Sequence, residues 1–235
     1  MKYYWLILNT IIWTIFFGLF GIFASFFEKD KGKILGVCAR NWGKSILFFS
    51  GIKWSVSGLK NIKSNKKPYF FVSNHASALD IPLAFAGIPN WLISIAKIEL
   101  KSVLILGWVM STGGHIFVDR RNKDKAYKSL EDAKKSLSSS PRSVLLFPEG
   151  TRTKNGELLK IKTGGINVAI ELGVPIIPMA CKGTFEMLKN NASLLSDGVL
   201  ELRIGEPIMT NDGQEVNKHE IAILVKEKIE KLLNH

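Results

Sequence analysis

The sequence predicts an α/β protein: a mixed, largely parallel sheet flanked by helices, preceded by an N-terminal hydrophobic two-helix segment that anchors the chain in a membrane. After residue 58, short apolar runs rich in branched and aromatic residues alternate with segments of helical periodicity. Near the amino terminus lies a long apolar run without charge. The 235 residues suffice for one α/β domain with a full core. We therefore expect a membrane-embedded helical segment over residues 1-57 and an α/β domain over residues 58-235.

The first helix is expected in the run 3–27, which contains no charged residue and is long enough to cross or deeply enter a bilayer. The run exceeds the apolar part of a signal peptide, and no small-residue cleavage site is evident after it. Lys2 precedes it, and Lys29, Lys31 and Lys33 follow it. If the run spans, this asymmetry places the rest of the chain in the cytoplasm, on the cytoplasmic face of the cell inner membrane. The pattern leaves open whether the helix crosses the bilayer or only dips into it.

The second helix is expected over 34–52, where large apolar residues are mixed with Arg40 and Lys44. This pattern is typical of an amphipathic helix at a membrane interface rather than of a second span. The alternative for the amino terminus is a pair of buried helices in the core of a soluble protein.

The remaining elements follow in alternation. Apolar and β-branched runs predict strands over 53–57, 69–73, 91–96, 116–118, 143–147, 176–180 and 199–204. Helices are expected over 81–86, 100–110, 124–137, 166–172 and 221–233. The helix over 124–137 has the clearest apolar face, and the residues from Ser138 to Pro141 end it. No internal repeat, low-complexity tract or clear second domain is evident.

The charge indicates an anionic partner. Lysine and arginine number 32 against 20 acidic residues, for a net charge of +12. Nucleic acid, anionic membrane lipids and a phosphorylated or acidic-protein substrate would all suit this balance. The basic residues are scattered, and no helix-turn-helix, zinc spacing or RNA-binding aromatic pattern occurs, so we do not expect nucleic acid. Cys38 and Cys181 lie far apart among apolar residues, which fits small core residues in a reducing compartment.

A candidate catalytic pair follows the apolar run 69–73. Asn74 marks the end of that strand, and His75 lies in the turn before the next helix, five positions ahead of Asp80. Across such a turn, the Asp80 carboxylate could accept the Nδ1–H of the His75 ring. Nε2 would then be left to take a proton from a hydroxyl. The alternative is a capping asparagine and a histidine with a purely structural role.

Two further stretches end strands with guanidinium groups. One runs from Gly114 through Phe117 to Arg120 and Arg121, and the other is the run 147–152, Phe-Pro-Glu-Gly-Thr-Arg. Arginine offers a fixed fork of donors that suits a phosphate. The glycine at position 150 allows the backbone to approach a ligand closely. For each arginine taken alone, a solvated surface charge is the alternative.

The motifs together resemble those of the glycerophospholipid acyltransferases, and specifically the lysophosphatidic acid acyltransferases. Four ordered blocks carry the resemblance, which covers about residues 50 to 210. They are the N-H-x4-D block at 74–80, the G-x-x-F-x-x-R block at 114–120, the F-P-E-G-T-R block at 147–152 and the V-P-I-x-P block at 174–178.

The resemblance implies transfer of a fatty acyl chain from a thioester, acyl-CoA or acidic acyl-carrier protein, to the sn-2 hydroxyl of lysophosphatidic acid. The product would be phosphatidic acid, in phospholipid biosynthesis. By the family pattern, His75 is the base, Asp80 orients it, and no metal or cofactor takes part. No G-x-S-x-G nucleophile elbow occurs, which favours direct attack by the hydroxyl over an acyl-enzyme.

The resemblance also implies a set of substrate-binding residues. The acceptor phosphate would be held by Arg120, with Arg152, Thr151 and Gly150 nearby, and Glu149 would position the glycerol or the arginines. Arg121 is an alternative to Arg120, and Lys162 with Gly164 is a secondary phosphate candidate. The substrate-binding set implied in full is Asn74, Gly114, Phe117, Arg120, Glu149, Gly150, Thr151 and Arg152.

The sequence leaves several alternatives open. The acceptor could instead be glycerol 3-phosphate or another lysolipid, water could replace it in a hydrolase, or the protein could bind lipid without catalysis. The donor, the preferred chain length and the oligomeric state are also undecided.

Overall fold

The computed structural model describes residues 1–28, 32–64, 67–119, 121–140, 142–189, 196–210 and 217–234. Lys29, Lys31, Arg120 and Pro141, on which predictions rest, lie outside the described residues.

Seven strands and eight helices make up the described part of the chain. The strands are β1 (Lys53–Ser57), β2 (Phe70–Ser73), β3 (Leu92–Lys97), β4 (Ile116–Val118), β5 (Ser143–Leu146), β6 (Ile176–Lys182) and β7 (Val199–Ile204). The helices are α1 (Lys2–Ser25), α2 (Lys33–Phe49), α3 (Asp80–Gly87), α4 (Leu106–Thr112), α5 (Lys123–Ser139), α6 (Gly164–Glu171), α7 (Thr184–Met187) and α8 (Lys218–Asn234).

The strands form a single mixed sheet in the order β1-β7-β6-β2-β5-β3-β4. β6, β2, β5, β3 and β4 run parallel to one another, while β7 is antiparallel to β6 and β1 runs parallel to β7. The predicted α/β class with a mixed, largely parallel sheet is therefore confirmed. Because β1 pairs with β7, the sheet begins at Lys53, ahead of the predicted boundary between residues 57 and 58.

Helices cover both faces of the sheet, and alternate residues of each central strand enter different cores. In β2, Phe71 belongs to the core shared with α2 and α3, whereas Phe70 and Val72 belong to the core shared with α5, α6 and α8. All four β2 residues are buried. This burial on both faces explains why the strand reads as a continuous apolar run.

The two N-terminal helices pack on each other, and they also contact the domain, α2 through α3 and α1 through α4. Gly43 of α2 lies so close to α3 that an added Cβ would stand 2.5 Å from the carbonyl oxygen of Pro82. The buried side of α2, including Ile46 and Leu47, therefore covers α3 rather than facing lipid. α1 is long and apolar enough to cross a membrane, and only 22% of its most apolar stretch is buried.

One predicted helix is wrong. The span 100–110 was expected to be continuous, but a 3-10 turn occupies Ile98–Ser102 and α4 begins only at Leu106. Ile105 between them has φ of 64° and ψ of −57°, which no α-helix accommodates. The short helix α7 was not predicted.

Candidate active site

His75 lies at the carboxyl edge of the sheet, in the loop between β2 and α3. β2 is flanked by β6 and β5, both parallel to it, so the carboxyl ends of three strands meet around this loop. A crevice at the carboxyl ends of parallel strands is the usual ligand site of an open α/β sheet. The side chain of His75 is 14% exposed, whereas that of Asp80 is fully buried.

The structure brings His75 and Asp80 together. His75 Nδ1 lies 2.8 Å from Oδ2 of Asp80, and the same oxygen accepts the backbone N–H groups of Ala76 at 2.7 Å and Ser77 at 2.8 Å. Because an ionised carboxylate only accepts, Nδ1 is the donor and Nε2 carries the lone pair. Among the described residues no hydrogen bond engages Nε2, so this atom can accept a proton from a hydroxyl.

The loop that follows β5 fixes the backbone of His75 through hydrogen bonds. Oε1 of Glu149 accepts the N–H of His75 at 2.5 Å, and the carbonyl oxygen of His75 accepts the N–H of Thr153 at 3.0 Å. Oε2 of Glu149 accepts the N–H of Leu159 at 2.8 Å. The buried carboxylate of Glu149 thus binds backbone N–H groups with both oxygens, and its predicted role in positioning substrate stays a prediction.

Burial raises the pKa of the Glu149 carboxyl above its ordinary value, although the two backbone N–H groups oppose the shift by stabilising the charge. A buried carboxylate with two charge-assisted hydrogen bonds is well suited to fixing a neighbouring backbone in place.

The ring of His75 stacks on the ring of Phe147. Their centroids are 4.1 Å apart and the planes differ by 18°. Phe147 directly follows β5 and is itself buried, so it offers a rigid platform. Together with the bond to Asp80, this stack restricts both the tilt and the rotation of the imidazole.

Asn74 extends the pairing of β2 with β6 beyond the last residue of the strand. Its Oδ1 accepts the N–H of Cys181 at 2.8 Å, and its Nδ2 donates to the carbonyl oxygen of Cys181 at 3.1 Å. Both the oxygen and the nitrogen of this buried amide therefore bind the neighbouring strand. Asn74 was expected to bind substrate; in the structure it fixes where β2 ends and His75 begins.

Exposure increases along the rest of the 147–152 block, from the buried Pro148 to the exposed Thr151 and Arg152. Gly150 has φ of 74°, and an added Cβ there would stand 2.8 Å from Nζ of Lys162. Thr151 and Arg152 are exposed, and within the described part of the chain Arg152 forms no salt bridge. The exposed Arg152 and the ammonium of Lys162 therefore lie on the same loop as Glu149. Their phosphate role stays a prediction.

At the end of β4 the structure distinguishes one of the two adjacent arginines. Nη2 of Arg121 lies 3.0 Å from Oε1 of Glu99, and the Arg121 N–H donates to Asp119 Oδ1 at 3.1 Å. Arg121 therefore forms an ion pair with Glu99 at the protein surface. Arg120 lies outside the described residues, and its phosphate role stays a prediction. Phe117 is half-buried in the middle of β4.

Gly114 packs against the side chain of Arg142. Its φ is 74°, and an added Cβ would stand 1.9 Å from Nη1 of Arg142, whose guanidinium donates to the Gly114 carbonyl oxygen at 3.3 Å. Arg142 is buried, and its other N–H groups bind Ser136 and Ser140 near the end of α5. Gly114 was expected to bind substrate, yet it lies at the amino end of β4, away from His75.

Several residues of the site were not given a role from the sequence. Phe147 and Thr153 hold His75, Ser77 donates to Asp80 and binds the Leu188 carbonyl oxygen, and Cys181 receives Asn74. Only Phe147 carries a sequence signal, since it opens the block that contains Glu149 and Gly150. The others act through backbone atoms or across the fold, which no local pattern reveals.

Comparisons with known proteins identify relatives of this chain. Residues 53–182 match the family model described as Acyltransferase, a span that contains His75, Asp80 and the 147–152 block. A 1-acyl-sn-glycerol-3-phosphate acyltransferase of Saccharomyces cerevisiae is 30% identical over 217 residues, covering 90% of this chain and 71% of the relative. One of Haemophilus influenzae is 27% identical over 94% of this chain and 90% of the relative. Some relatives are longer: the chain spans 47% of the one from Cocos nucifera.

A solved structure has the same architecture. The crystal structure of the 1-acyl-sn-glycerophosphate acyltransferase of Thermotoga maritima aligns with a TM-score of 0.81 at 25% identity, covering 98% of this chain and 94% of the other. The alignment thus extends over the N-terminal helices as well as the sheet. With the family model matching more than half of the sequence, the chain belongs to the acyltransferase family.

Proposed function

We propose that this acyltransferase moves a fatty acyl chain from an acyl thioester to the sn-2 hydroxyl of 1-acyl-sn-glycerol 3-phosphate, giving phosphatidic acid for phospholipid biosynthesis. The thioester is acyl-CoA or acyl-carrier protein, and no other cofactor is needed. The names of the yeast, Haemophilus and Thermotoga relatives support this acceptor.

The observation that carries the proposal is the constraint on His75. Asp80 holds Nδ1, Phe147 holds the ring, and Glu149 and Thr153 hold the backbone. A base fixed in this way keeps Nε2 aimed at one point, where an acceptor hydroxyl would bind. Positioned general bases contribute on the order of 10²–10⁴ in rate.

The reaction uses the free lone pair on Nε2 of His75. As the acceptor oxygen attacks the thioester carbonyl, its proton passes to Nε2, and Asp80 stabilises the imidazolium that forms. The tetrahedral intermediate collapses, the C–S bond breaks, and the leaving thiolate takes the proton from His75. The products are the ester and the free thiol, and His75 returns to its neutral form.

A covalent acyl-enzyme is disfavoured by the state of the cysteine nearest the site. Cys181 is buried against Asp80, and desolvation raises its thiol pKa well above the ordinary value. A protonated, enclosed thiol is a poor nucleophile. Direct attack by the acceptor hydroxyl needs only the base that His75 supplies.

The phosphate of the acceptor is assigned to Arg152 and Arg120, with Lys162 as a further contact. Arg152 is exposed on the same loop as Glu149, and Arg121 is engaged by Glu99, which leaves Arg120 as the guanidinium to be tested at that edge. Two positive side chains on one side of the base would orient the glycerol so that its free hydroxyl meets Nε2.

The membrane is the place where this substrate resides, and α1 supplies the attachment. α1 has a mean hydropathy of 2.1 over its most apolar stretch and exposes most of its large side chains. We assign the protein to the cytoplasmic face of the inner membrane, held by apolar insertion and by lysines that attract anionic lipids. Full-length protein should therefore stay on membranes through high salt and carbonate washes, because salt screens charge and not apolar burial. Release by either wash would contradict this attachment.

The test of the reaction is an acyl-transfer assay on purified protein. Acyl-CoA and acyl-carrier protein are each crossed with 1-acyl-sn-glycerol 3-phosphate, glycerol 3-phosphate and water as acceptors. We expect phosphatidic acid from the first acceptor with at least one donor. A preference for glycerol 3-phosphate, hydrolysis alone, or no turnover with either donor would each overturn the assignment.

A further inference from the structure

The segment Ile98–Trp108, here called the β3–α4 segment, exposes a cluster of large apolar side chains beside α1. Leu104 is 72% exposed, Trp108 60% and Val103 44%. Between Glu99 and Asp119 the sequence contains a single lysine or arginine, Lys101, and no acidic residue. A cluster of this kind on a protein surface usually marks a contact with a partner or a membrane.

The backbone of the segment is shaped to present Leu104. The N–H of Leu106 binds the carbonyl oxygen of Leu104 at 2.7 Å, and Ile105 between them has φ of 64° and ψ of −57°. These values define a γ-turn of the rare, strained kind, and the central residue is β-branched. Gly107 permits the return of the chain, since an added Cβ would lie 2.1 Å from the Lys101 carbonyl oxygen.

The segment is continuous with the apolar surface of α1. A Cβ added to Gly18 of α1 would stand 2.8 Å from Val109 and 3.4 Å from Ile105, so the two elements are in direct contact. Ile11 and Ile15, seven and three positions before Gly18 and therefore on the same side of α1, are 51% and 40% exposed. Lys97, just before the segment, and Lys101, within it, are both exposed and could meet anionic headgroups while the apolar side chains enter the acyl region.

The segment also starts next to the site. It follows the carboxyl end of β3, which pairs with β5, and β5 is followed by Phe147 against His75. An element that entered the leaflet here would set the His75 crevice at the lipid surface.

We propose that the β3–α4 segment inserts into the lipid leaflet as a membrane contact of the catalytic domain itself, with Leu104 and Trp108 in the acyl region. This inference rests on the membrane attachment proposed above. Lipid is favoured as the occupant because the surface continues that of α1, carries no acidic side chain between residues 100 and 118, and is bordered by lysines.

Spin labels on single introduced cysteines test the proposal in the full-length protein. The native cysteines are both buried, so brief labelling marks only the new thiol. Leu104→Cys probes the segment, Phe16→Cys probes α1, and Tyr127→Cys on α5 is the matched control, being exposed to 67%. Each labelled protein is placed in vesicles of phosphatidylcholine and phosphatidylglycerol. Collisions with oxygen, which concentrates in lipid, are compared with collisions with a water-soluble nickel chelate.

The three positions separate the possible outcomes. We expect oxygen-to-nickel ratios at Leu104→Cys and Phe16→Cys that are several times the ratio at Tyr127→Cys. A Leu104→Cys ratio equal to that of Tyr127→Cys, with Phe16→Cys in lipid, would overturn the inference and leave the attachment standing. A low ratio at Phe16→Cys would remove the attachment. Spin–spin broadening at Leu104→Cys that persists on dilution with lipid would show a second copy of the chain as the occupant, which also overturns the inference.

Discussion

Nδ1 of His75 and Oδ2 of Asp80 are 2.8 Å apart, and the oxygen that binds the ring also accepts the N–H groups of Ala76 and Ser77. One carboxylate oxygen therefore fixes both the tautomer of the imidazole and the turn that carries it. Oδ1 of Asp80 is buried without a partner among the described residues, so the carboxylate is oriented by its other oxygen alone.

Replacing Asp80 with asparagine should impair the base more than the fold. Either the amide –NH₂ faces Nδ1 and the backbone N–H groups, or it occupies the buried place of Oδ1 without an acceptor. In the first orientation the amide would favour the wrong tautomer of His75. We expect kcat/KM in acyl transfer to fall by about 10² or more, with the far-ultraviolet circular dichroism spectrum unchanged. An Asp80→Asn protein that keeps full activity would show that Asp80 does not orient the base.

Glu149→Gln should weaken the positioning of His75. The amide can accept only one of the two backbone N–H groups that the carboxylate now binds, so one buried donor is left facing –NH₂. We expect a loss of about 1–3 kcal/mol in the free energy of unfolding and a lower kcat. Glu157→Gln, an exposed residue of the same loop, is the control and should change neither.

The Glu149 carboxyl should also make the stability of the folded protein depend on pH. Burial raises the pKa of Glu149, so the folded protein holds the proton more tightly than the unfolded chain does. Its contribution to stability is fully present below the ordinary carboxyl pKa and is lost as the pH rises through the raised value. The stability of the wild-type protein relative to Glu149→Gln should therefore decline over that interval in parallel denaturation curves. A difference that grows with pH there would mean that the folded state favours the carboxylate.

If Arg120 and Arg152 bind the acceptor phosphate, replacing either should change the kinetics, whereas replacing Arg121 should not. Arg120→Ala and Arg152→Ala should raise KM for 1-acyl-sn-glycerol 3-phosphate, and also lower kcat if the contact aims the hydroxyl. Lysine should rescue each only in part, because it lacks the fork of donors. Arg121→Ala is the matched control: its guanidinium is 85% exposed and paired with Glu99, so steady-state kinetics should stay close to wild type. Equal use of a neutral monoacylglycerol by the wild-type enzyme would contradict the assignment.

Alanine substitutions at two glycines distinguish the stability cost of backbone strain from the cost of a steric clash. Gly51 and Gly114 have φ of 68° and 74°, but an added Cβ meets nothing within 4 Å at Gly51 and lies 1.9 Å from Arg142 at Gly114. Gly51→Ala should therefore cost only the strain, about 1 kcal/mol. Gly114→Ala should lower the thermal midpoint in detergent clearly more, because Arg142 must also move. Equal losses would show that Gly114 is required only for its φ.

The sequence predicts those parts of this fold that rest on local pattern. The strand at 69–73 was expected because its apolar residues follow one another without a break, which burial on both faces explains. His75 and Asp80 were expected to meet because they flank a single turn. Glu149 and Thr153 hold His75 from more than 70 positions away, a relation that depends on the pairing of β2 with β5. The break at Ile105 was missed because apolar residues of that kind normally favour a helix or a strand, and only packing against α1 and the Lys101 backbone explains the turn.

The central claim is that His75 is the base, and turnover of His75→Ala tests it most directly. The protein is purified in detergent, its fold is checked by circular dichroism, and formation of phosphatidic acid is followed with the donor that the wild-type enzyme prefers. Because the alanine variant lacks Nε2, the atom that would take the proton of the hydroxyl, turnover should fall by on the order of 10²–10⁴ while the protein stays folded. Wild-type turnover by folded His75→Ala would contradict the account.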